Sequence, residues 1–456
     1  MVKILLIAPA SGKWRHVGRH RFLNGRTFRF SLLSLLAVAA ESPPDADVHI
    51  VDEQVDDIPW DADVDLVGIT CMTALAPRAY EIARRFRERR IPTVLGGMHP
   101  TLCPEEAVQH ADAIVVGEAE GIWRKVVADA AGGQLTGIYR NEQPSLSGLK
   151  RPPRHLLSTA KYAPIGAVQA TRGCPQGCDF CAIAAFSGHH HRCRPVDEVV
   201  AEVKDLPSRT FIFVDDNLTA DRDYAKRLCA ALTPLRKRWV TQSTLAIADD
   251  PDLVRLMAEA GCMGIFVGLE TFSGNNLRSV NKTCHGVDQY REAIRLLHRR
   301  GIAVEAGIVF GFDGDSPDVF RRTLATLDDL EVDVIQVSIF TPLPGTPRAT
   351  LWADRIFDRD WEHYDFHHAV FQPANMSPRD LQAGHDWVTS QFYRPWRIVR
   401  RLWRHLRRPG PWASLVYLLA LNAAYFGRTV RWRIRGWDPA SEASLDAVGD
   451  HLAAVE

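Results

Sequence analysis

Net charge is the first thing this 456-residue sequence lacks. Lysine plus arginine and aspartate plus glutamate balance at 55 each, so no overall field draws the chain towards nucleic acid. Long apolar runs are missing too. The opening stretch, Val2–Pro9, is too short for a secretory signal and reads as a first buried strand. Phe30–Ala40 imitates a signal core but lies behind that strand, so it reads as the first crossover helix. Trp412–Phe426 is apolar over only 15 residues, short of the ~20 that span a bilayer. Nor is there a disulfide framework: of nine cysteines three are clustered and the rest scattered, which suits a reducing compartment such as the cytoplasm.

The cluster is Cys174, Cys178 and Cys181, in Thr171-Arg-Gly-Cys-Pro-Gln-Gly-Cys-Asp-Phe-Cys. Electron-transfer clusters are normally closed by four cysteines and structural zinc sites by four ligands. Three thiolates alone can hold an iron–sulfur cluster while one iron stays open for chemistry. Zinc is the alternative, with Cys193 or the His189-His190-His191 run as a fourth ligand. Against it, Arg192 and Arg194 stand directly beside that run and Cys193, a poor surrounding for a compact cation. The histidines read as a solvated loop.

Before the cluster, residues 1–140 alternate short apolar runs with helical stretches. Strands are expected at Val2–Ala8, Val48–Val51, Leu66–Thr70, Thr93–Leu95 and Ala113–Val116, with a helix at Ala79–Arg90. That pattern predicts an α/β doubly wound parallel sheet, whose ligands bind beyond the carboxyl ends of its strands. The turns there are Thr70-Cys-Met-Thr73, Gly96-Gly-Met-His-Pro-Thr101 and Gly117-Glu118. Gly96 and Gly97 would let a bulky ligand approach the backbone. Residues 141–160 are polar and proline-interrupted, a linker or surface crossing. A second series follows over 161–350, with strands at Gly166–Thr171, Thr210–Val214, Trp239–Ser243, Gly264–Leu269, Val304–Val309 and Val334–Phe340 and helices between them. In barrels built this way, chemistry sits at the carboxyl ends of strands.

With Phe180 just before its last cysteine, the triplet resembles the signature of the radical S-adenosylmethionine (SAM) superfamily. Gly-Gly-x-His-Pro-Thr, Pro104-Glu-Glu106 and Val115-Val-Gly-Glu118 resemble the cobalamin-binding domain that precedes many radical SAM domains, and Gln336–Pro347 is similar to the last strand and exit loop of such enzymes. The resemblance implies a partial (β/α)6 barrel, a [4Fe-4S] cluster whose open iron chelates SAM, and cobalamin held by the turns containing Thr73, Gly96, Gly97, His99, Gly117 and Glu118. It further implies that Asp215 and Asp216 recognise the SAM amino group, that Ser243 and Glu270 face its methionyl and ribose parts, and that Gly307 and Gly311 pass near adenine. The Asp-x-His-x-x-Gly motif that supplies a cobalt-ligating histidine elsewhere is absent from the first 140 residues, so cobalamin without a protein imidazole is implied, with His99 structural or tail-contacting. For each of these barrel positions the alternative reading is a helix cap or turn residue.

The chemistry so implied is methylation of an unactivated carbon in a small-molecule or lipid substrate, through a 5′-deoxyadenosyl radical and methylcobalamin, with an electron donor such as flavodoxin or ferredoxin. A radical oxidative cyclase using the same cofactors is the alternative. RNA methylthiolation enzymes share an Arg-Gly-Cys-Pro loop, but only Cys71 and Cys103 precede the triplet here. From another class comes a non-catalytic cobalamin- or zinc-binding interaction protein. Residues 351–456 are less familiar. Trp387–Trp437 carries six tryptophans, many arginines and no aspartate or glutamate. Tyr393–Arg408 reads as an amphipathic basic helix, suited either to an anionic membrane face or to acidic surface elsewhere in the chain.

Overall fold

The computed structural model describes residues 1–12, 32–141, 143–282, 289–408 and 412–434. Among them, two six-stranded parallel sheets carry the architecture. The first contains β1 (Lys3–Ala8), β2 (Asp47–Asp52), β3 (Leu66–Thr70), β4 (Thr93–Gly96), β5 (Ala113–Gly117) and β6 (Gly137–Asn141) in the order β2-β1-β3-β4-β5-β6. β1 is apolar at nearly every position because both its faces are covered. Ile4 and Leu6 pack with the helices Leu33–Glu41 and Trp123–Ala131, whereas Leu5 and Ile7 pack with the helix Ala76–Glu88. β6 was not expected, and the crossover helix occupies only the later part of the predicted Phe30–Ala40, whose first two residues lie outside the described residues.

The second sheet begins with β7 (Ile165–Val168). After the small antiparallel pair β8 (Thr171–Arg172) and β9 (Arg192–Cys193), it continues through β10 (Thr210–Phe213), β11 (Arg238–Ser243), β12 (Cys262–Glu270), β13 (Ala303–Phe310) and β14 (Val334–Ile339). These six lie in sequential order, β7-β10-β11-β12-β13-β14, each joined to the next by an intervening helical stretch. Asp221 and Asp250 start two of the outer helices by accepting the backbone N–H groups of Tyr224 and Leu253, which would otherwise be unpaired. Inside, the pattern alternates. Gly264, Phe266, Gly268 and Glu270 on β12 share a face with Glu305 and Gly307 on β13 and with Gln336 and Ser338 on β14. Apart from Phe266, the residues named on this inner face of a partial barrel are small or polar.

The segment 143–160 crosses the surface under restraint. Gly148 N–H donates to Glu198 at 2.9 Å, and Arg154 bonds both the Ala167 carbonyl and Glu202 at 2.6 Å. Beyond β14, the helix Pro378–Phe392 opens with a reciprocal Ser377–Asp380 cap and packs on β14. Two further helices follow, Pro395–Leu406 and Trp412–Ile434. Their arginines largely meet acidic groups of this chain: Arg397 and Arg400 pair with Asp328, Arg404 and Arg408 with Glu331, and Arg408 also with Asp333. The second of these helices lies across the amino-terminal halves of β12–β14. A Cβ on Gly264 would meet Tyr417 at 2.8 Å, while Tyr425 donates to Glu305 at 2.8 Å and Gln336 donates to Tyr425 at 2.7 Å. The apolar stretch is therefore part of a 23-residue helix closing the barrel floor. Among the described residues, no helix is long and apolar enough to cross a membrane.

Candidate active site

The cysteine loop leaves the carboxyl end of β7 and is fixed from several sides. Asp215, fully buried beyond β10, accepts the Ala170 N–H at 3.1 Å, the Thr171 N–H and the Thr171 hydroxyl at 2.6 Å. Burial pushes its carboxyl up to about 7. Next to it, Asp216 accepts the Gly173 N–H at 2.9 Å. At the loop's far end, Arg348 joins Asp179 at 2.5 Å and the Ser279 carbonyl at 2.6 Å, while Asn281 donates to the Gly177 carbonyl at 2.8 Å. Phe180 packs on Phe340 with ring centroids 5.4 Å apart.

Cys178 and Cys181 line a cavity of about 650 Å³, together with Gly177, Asp179, Asn281 and Gly345. Asn217 Nδ2 lies 3.8 Å from Cys174 Sγ. Burial pushes the Cys181 thiol up, which makes its thiolate costly unless a cation accompanies it. Three thiolates in a restrained loop, with open volume beside them, fit an iron–sulfur cluster. Cys193 Sγ instead lies 3.8 Å from His191 Nδ1 on the β9 side. Among the described residues, no three His, Cys, Asp or Glu side chains are placed to hold one ion; a cluster distributes its thiolates over separate irons.

The carboxyl edge of the first sheet faces the same loop. The helix Met98–Leu102, just after Gly97, packs against Ala182–Ser187, and Leu102 approaches Gly345. Thr101 knits the turns together: its hydroxyl donates to the Gly97 carbonyl at 2.8 Å and accepts the Gly117 N–H at 3.0 Å. Gly97 and Gly117 have φ of +102° and +88°, conformations that side chains disfavour. A Cβ on Gly97 would press on the Cys71 backbone at 3.2 Å, and one on Gly117 would collide with the Asn141 carbonyl. These glycines thus serve the packing of the turns, a correction to the expectation that Gly97 is small to admit a ligand. At Gly96 the space is open, with Val115 3.9 Å from an added Cβ. Thr73 is buried at the start of a short 3₁₀ turn, while the neighbouring Met72, missed in the sequence, is 52% exposed on this edge. Such an apolar edge, with glycine turns and an exposed Met72, fits a large planar cofactor.

His99 is fully buried, with Nε2 2.9 Å from the Tyr80 hydroxyl and Nδ1 without a partner. Burial holds it below the ordinary histidine range. Tyr80 and Trp361 both donate to Glu106, at 3.0 and 2.9 Å, so the segment after the barrel reaches back to the first sheet.

Several expected contacts are committed elsewhere. Glu118 is nearly buried and bound by two arginines, Arg172 at 2.6 Å and Arg192, while Arg172 also meets Glu120 at 2.5 Å. It therefore ties the first sheet to the root of the cysteine loop. Asp215 is similarly spent on the backbone of that loop. Ser243 is buried and bonded to Thr219 at 2.5 Å and to the Thr244 carbonyl at 3.1 Å. Gly311 is enclosed by Phe371 and Leu381, each 3.1 Å from an added Cβ, and its N–H donates to Asp315. Each of these four is engaged by other groups of the chain in this structure. Glu270 does reach the barrel interior, at a strand irregularity and with φ of +61°. Its partner Lys282, 2.6 Å away, was not singled out in the sequence.

Comparison with known proteins agrees with this arrangement. Residues 34–127 match the B12 binding domain and residues 168–327 the radical SAM superfamily. Bacteriochlorophyllide d C-12(1)-methyltransferase of Chlorobaculum tepidum is 29% identical over 81% of this chain and 84% of its own length. The hopanoid C-2 methylase of Rhodopseudomonas palustris is 28% identical over 71% of this chain and 63% of its own. The radical SAM methyltransferase TsrM of Kitasatospora setae, solved with cobalamin and a [4Fe-4S] cluster, superimposes with a TM-score of 0.63 over 78% of each chain at 18% identity. This chain thus carries a B12-binding domain joined to a radical SAM domain, and its homologues include cobalamin-dependent radical SAM methyltransferases.

Proposed function

We propose that the enzyme methylates an unactivated carbon of a small organic substrate. The observation that carries this reading is the Glu118–Arg172–Glu120 network, which holds the carboxyl edge of the first sheet against the root of the cysteine loop. When bound, the cluster supplies the electron that splits SAM to a 5′-deoxyadenosyl radical, and methylcobalamin supplies the methyl group. Cys174, Cys178 and Cys181 would hold the cluster, and the edge formed by Met72, Gly96 and the Gly97 and Gly117 turns would hold the corrin. Asp216, with one oxygen on Gly173, would receive the SAM amino group. Glu270, oriented by Lys282, would accept the ribose hydroxyls. Tyr417 and Tyr425 shut the floor and limit water inside. A low-potential donor of the flavodoxin or ferredoxin class would reduce the cluster. The relatives reported above are methyltransferases, which favours methylation over cyclisation.

The test is anaerobic reconstitution followed by incubation with SAM and the metabolites that accumulate in a deletion strain. Methylation yields a product one methyl group heavier, with 5′-deoxyadenosine and S-adenosylhomocysteine in equal amounts. A product without the added mass, formed with 5′-deoxyadenosine alone, would give the reaction to the cyclase reading.

A further inference from the structure

Pairing of the carboxyl-terminal arginines with Asp328, Glu331 and Asp333 weakens a purely electrostatic attachment to membranes, yet leaves another surface uncovered. On the helix Pro395–Leu406 the buried side contains Arg401 and His405, and the opposite side exposes Trp396, Val399, Trp403 and Leu406 to 52, 65, 52 and 54%. The next helix repeats the arrangement. Ser414, Leu418, Leu421 and Asn422 are buried, while Trp412, Val416, Leu419 and Phe426 are exposed to 78, 62, 46 and 37%. Arg401 donates to Asn422 at 2.8 Å and His405 lies 2.9 Å from Ser414, so the helices run side by side in opposite directions. Each of the two paired helices thus turns an apolar stripe to solvent. Single exposed apolar side chains are ordinary, but eight of them on two paired helices mark an interaction site.

We propose that this face docks on an anionic phospholipid surface. Tryptophan favours the boundary between headgroups and acyl chains, and arginine its polar side. Here the two are interleaved: Arg407 is exposed, lies 3.2 Å over the Trp403 ring, and has no carboxylate partner among the described residues. Trp387–Trp437 contains no acid of its own, and its arginines outnumber the three acidic partners beneath it. A second copy of the chain would set Arg407 and the surplus of arginines in this segment against their own kind, whereas anionic headgroups complement them. The orientation also follows. The helices sit at the amino-terminal halves of β12–β14, around Gly264, Glu305 and Gln336, while the cysteine loop leaves the carboxyl end of β7. Docking thus leaves the barrel mouth turned away from the lipid, so attachment by itself gives no reason to expect a lipid substrate.

The test uses the full-length protein with phosphatidylcholine vesicles, with and without phosphatidylglycerol. The protein should cosediment with the phosphatidylglycerol vesicles, and its tryptophan emission should shift to the blue. Combined Trp396→Ser, Val399→Ser and Trp403→Ser should lower the bound fraction by about tenfold without moving the thermal midpoint, because these side chains are outside the core. Trp403→Phe should retain binding. Wild-type protein remaining in the supernatant with both vesicles overturns the proposal, as does undiminished sedimentation of the triple variant. A concentration-dependent dimer that the triple variant loses, without vesicle binding, would assign the face to a second copy and overturn it equally. Each readout is independent of methylation, so its failure and failure of the proposed reaction are distinguishable.

Discussion

The two sheets are alike in strand number and direction but not in what their faces do. In β1, consecutive residues Ile4 to Ile7 are at most 1% exposed, because helices cover both sides. In β12 to β14 only the outer positions are apolar throughout; the inner ones include Gly264, Gly268, Glu270, Glu305, Gly307, Gln336 and Ser338. A sheet clad on both sides keeps its chemistry at its edge, in the loops. One bent around an open interior offers a face as well. The first sheet can therefore present a cofactor from its strand ends, whereas the second can surround a substrate.

That contrast can be broken most completely at the loop between the sheets. Cys174→Ala, Cys178→Ala or Cys181→Ala should each abolish cluster assembly and SAM cleavage, as read by iron and sulfide content and 5′-deoxyadenosine release, while Cys193→Ala keeps both. Next comes the bridge between the two regions. Arg172→Met strands Glu120 in a largely buried setting, while Arg192 still holds Glu118, and should cost about 3–5 kcal/mol in urea unfolding. The faces themselves supply a sharper comparison. Leu5→Ala, between two helical layers, should cost about 2–5 kcal/mol, against about 0.5 kcal/mol or less for Gln242→Ala on the exposed inner side of β11.

The smallest effect is set by pH. Burial works to raise the Asp333 carboxyl, but its contacts with His298 and Arg408 outweigh it and leave it below the usual range. A depressed carboxylate stabilises the fold fully above its unfolded value of 3.8 and loses that contribution as pH falls through the folded value. Asp333→Asn should flatten the acid limb of a thermal-midpoint profile below about pH 4, leaving the neutral region parallel to wild type.

Apart from β6, the strands of both sheets were legible because their periodicities differ, continuous apolar in β1 and alternating in β12 to β14. The cysteine spacing was legible because ligands from one short loop must be close in sequence. Partnerships across the chain were not. Glu118, Asp215 and Ser243 stand at strand ends, as cofactor ligands would, and only the fold reveals that Arg172, the Ala170–Thr171 backbone and Thr219 occupy them. β8 and β9 escaped notice because two-residue strands have no period. Whether the carboxyl-terminal arginines meet a membrane or acidic surface of the chain stayed open in the sequence, because Asp328, Glu331 and Asp333 lie far away in it.

The bond from Trp361 to Glu106 has a consequence for how the protein can be divided. Trp361 comes after the barrel's last strand, yet it covers His99 with ring centroids 5.4 Å apart and satisfies a carboxylate of the cobalamin half. A fragment ending at Asn141 would expose that histidine, and one ending at Phe340 would still leave Glu106 without the indole. Neither half is a portable cassette. In gene fusions or domain exchanges, the exchange must carry the returning strap around Trp361 along with the cobalamin half, although some 220 residues of another domain separate them in the chain.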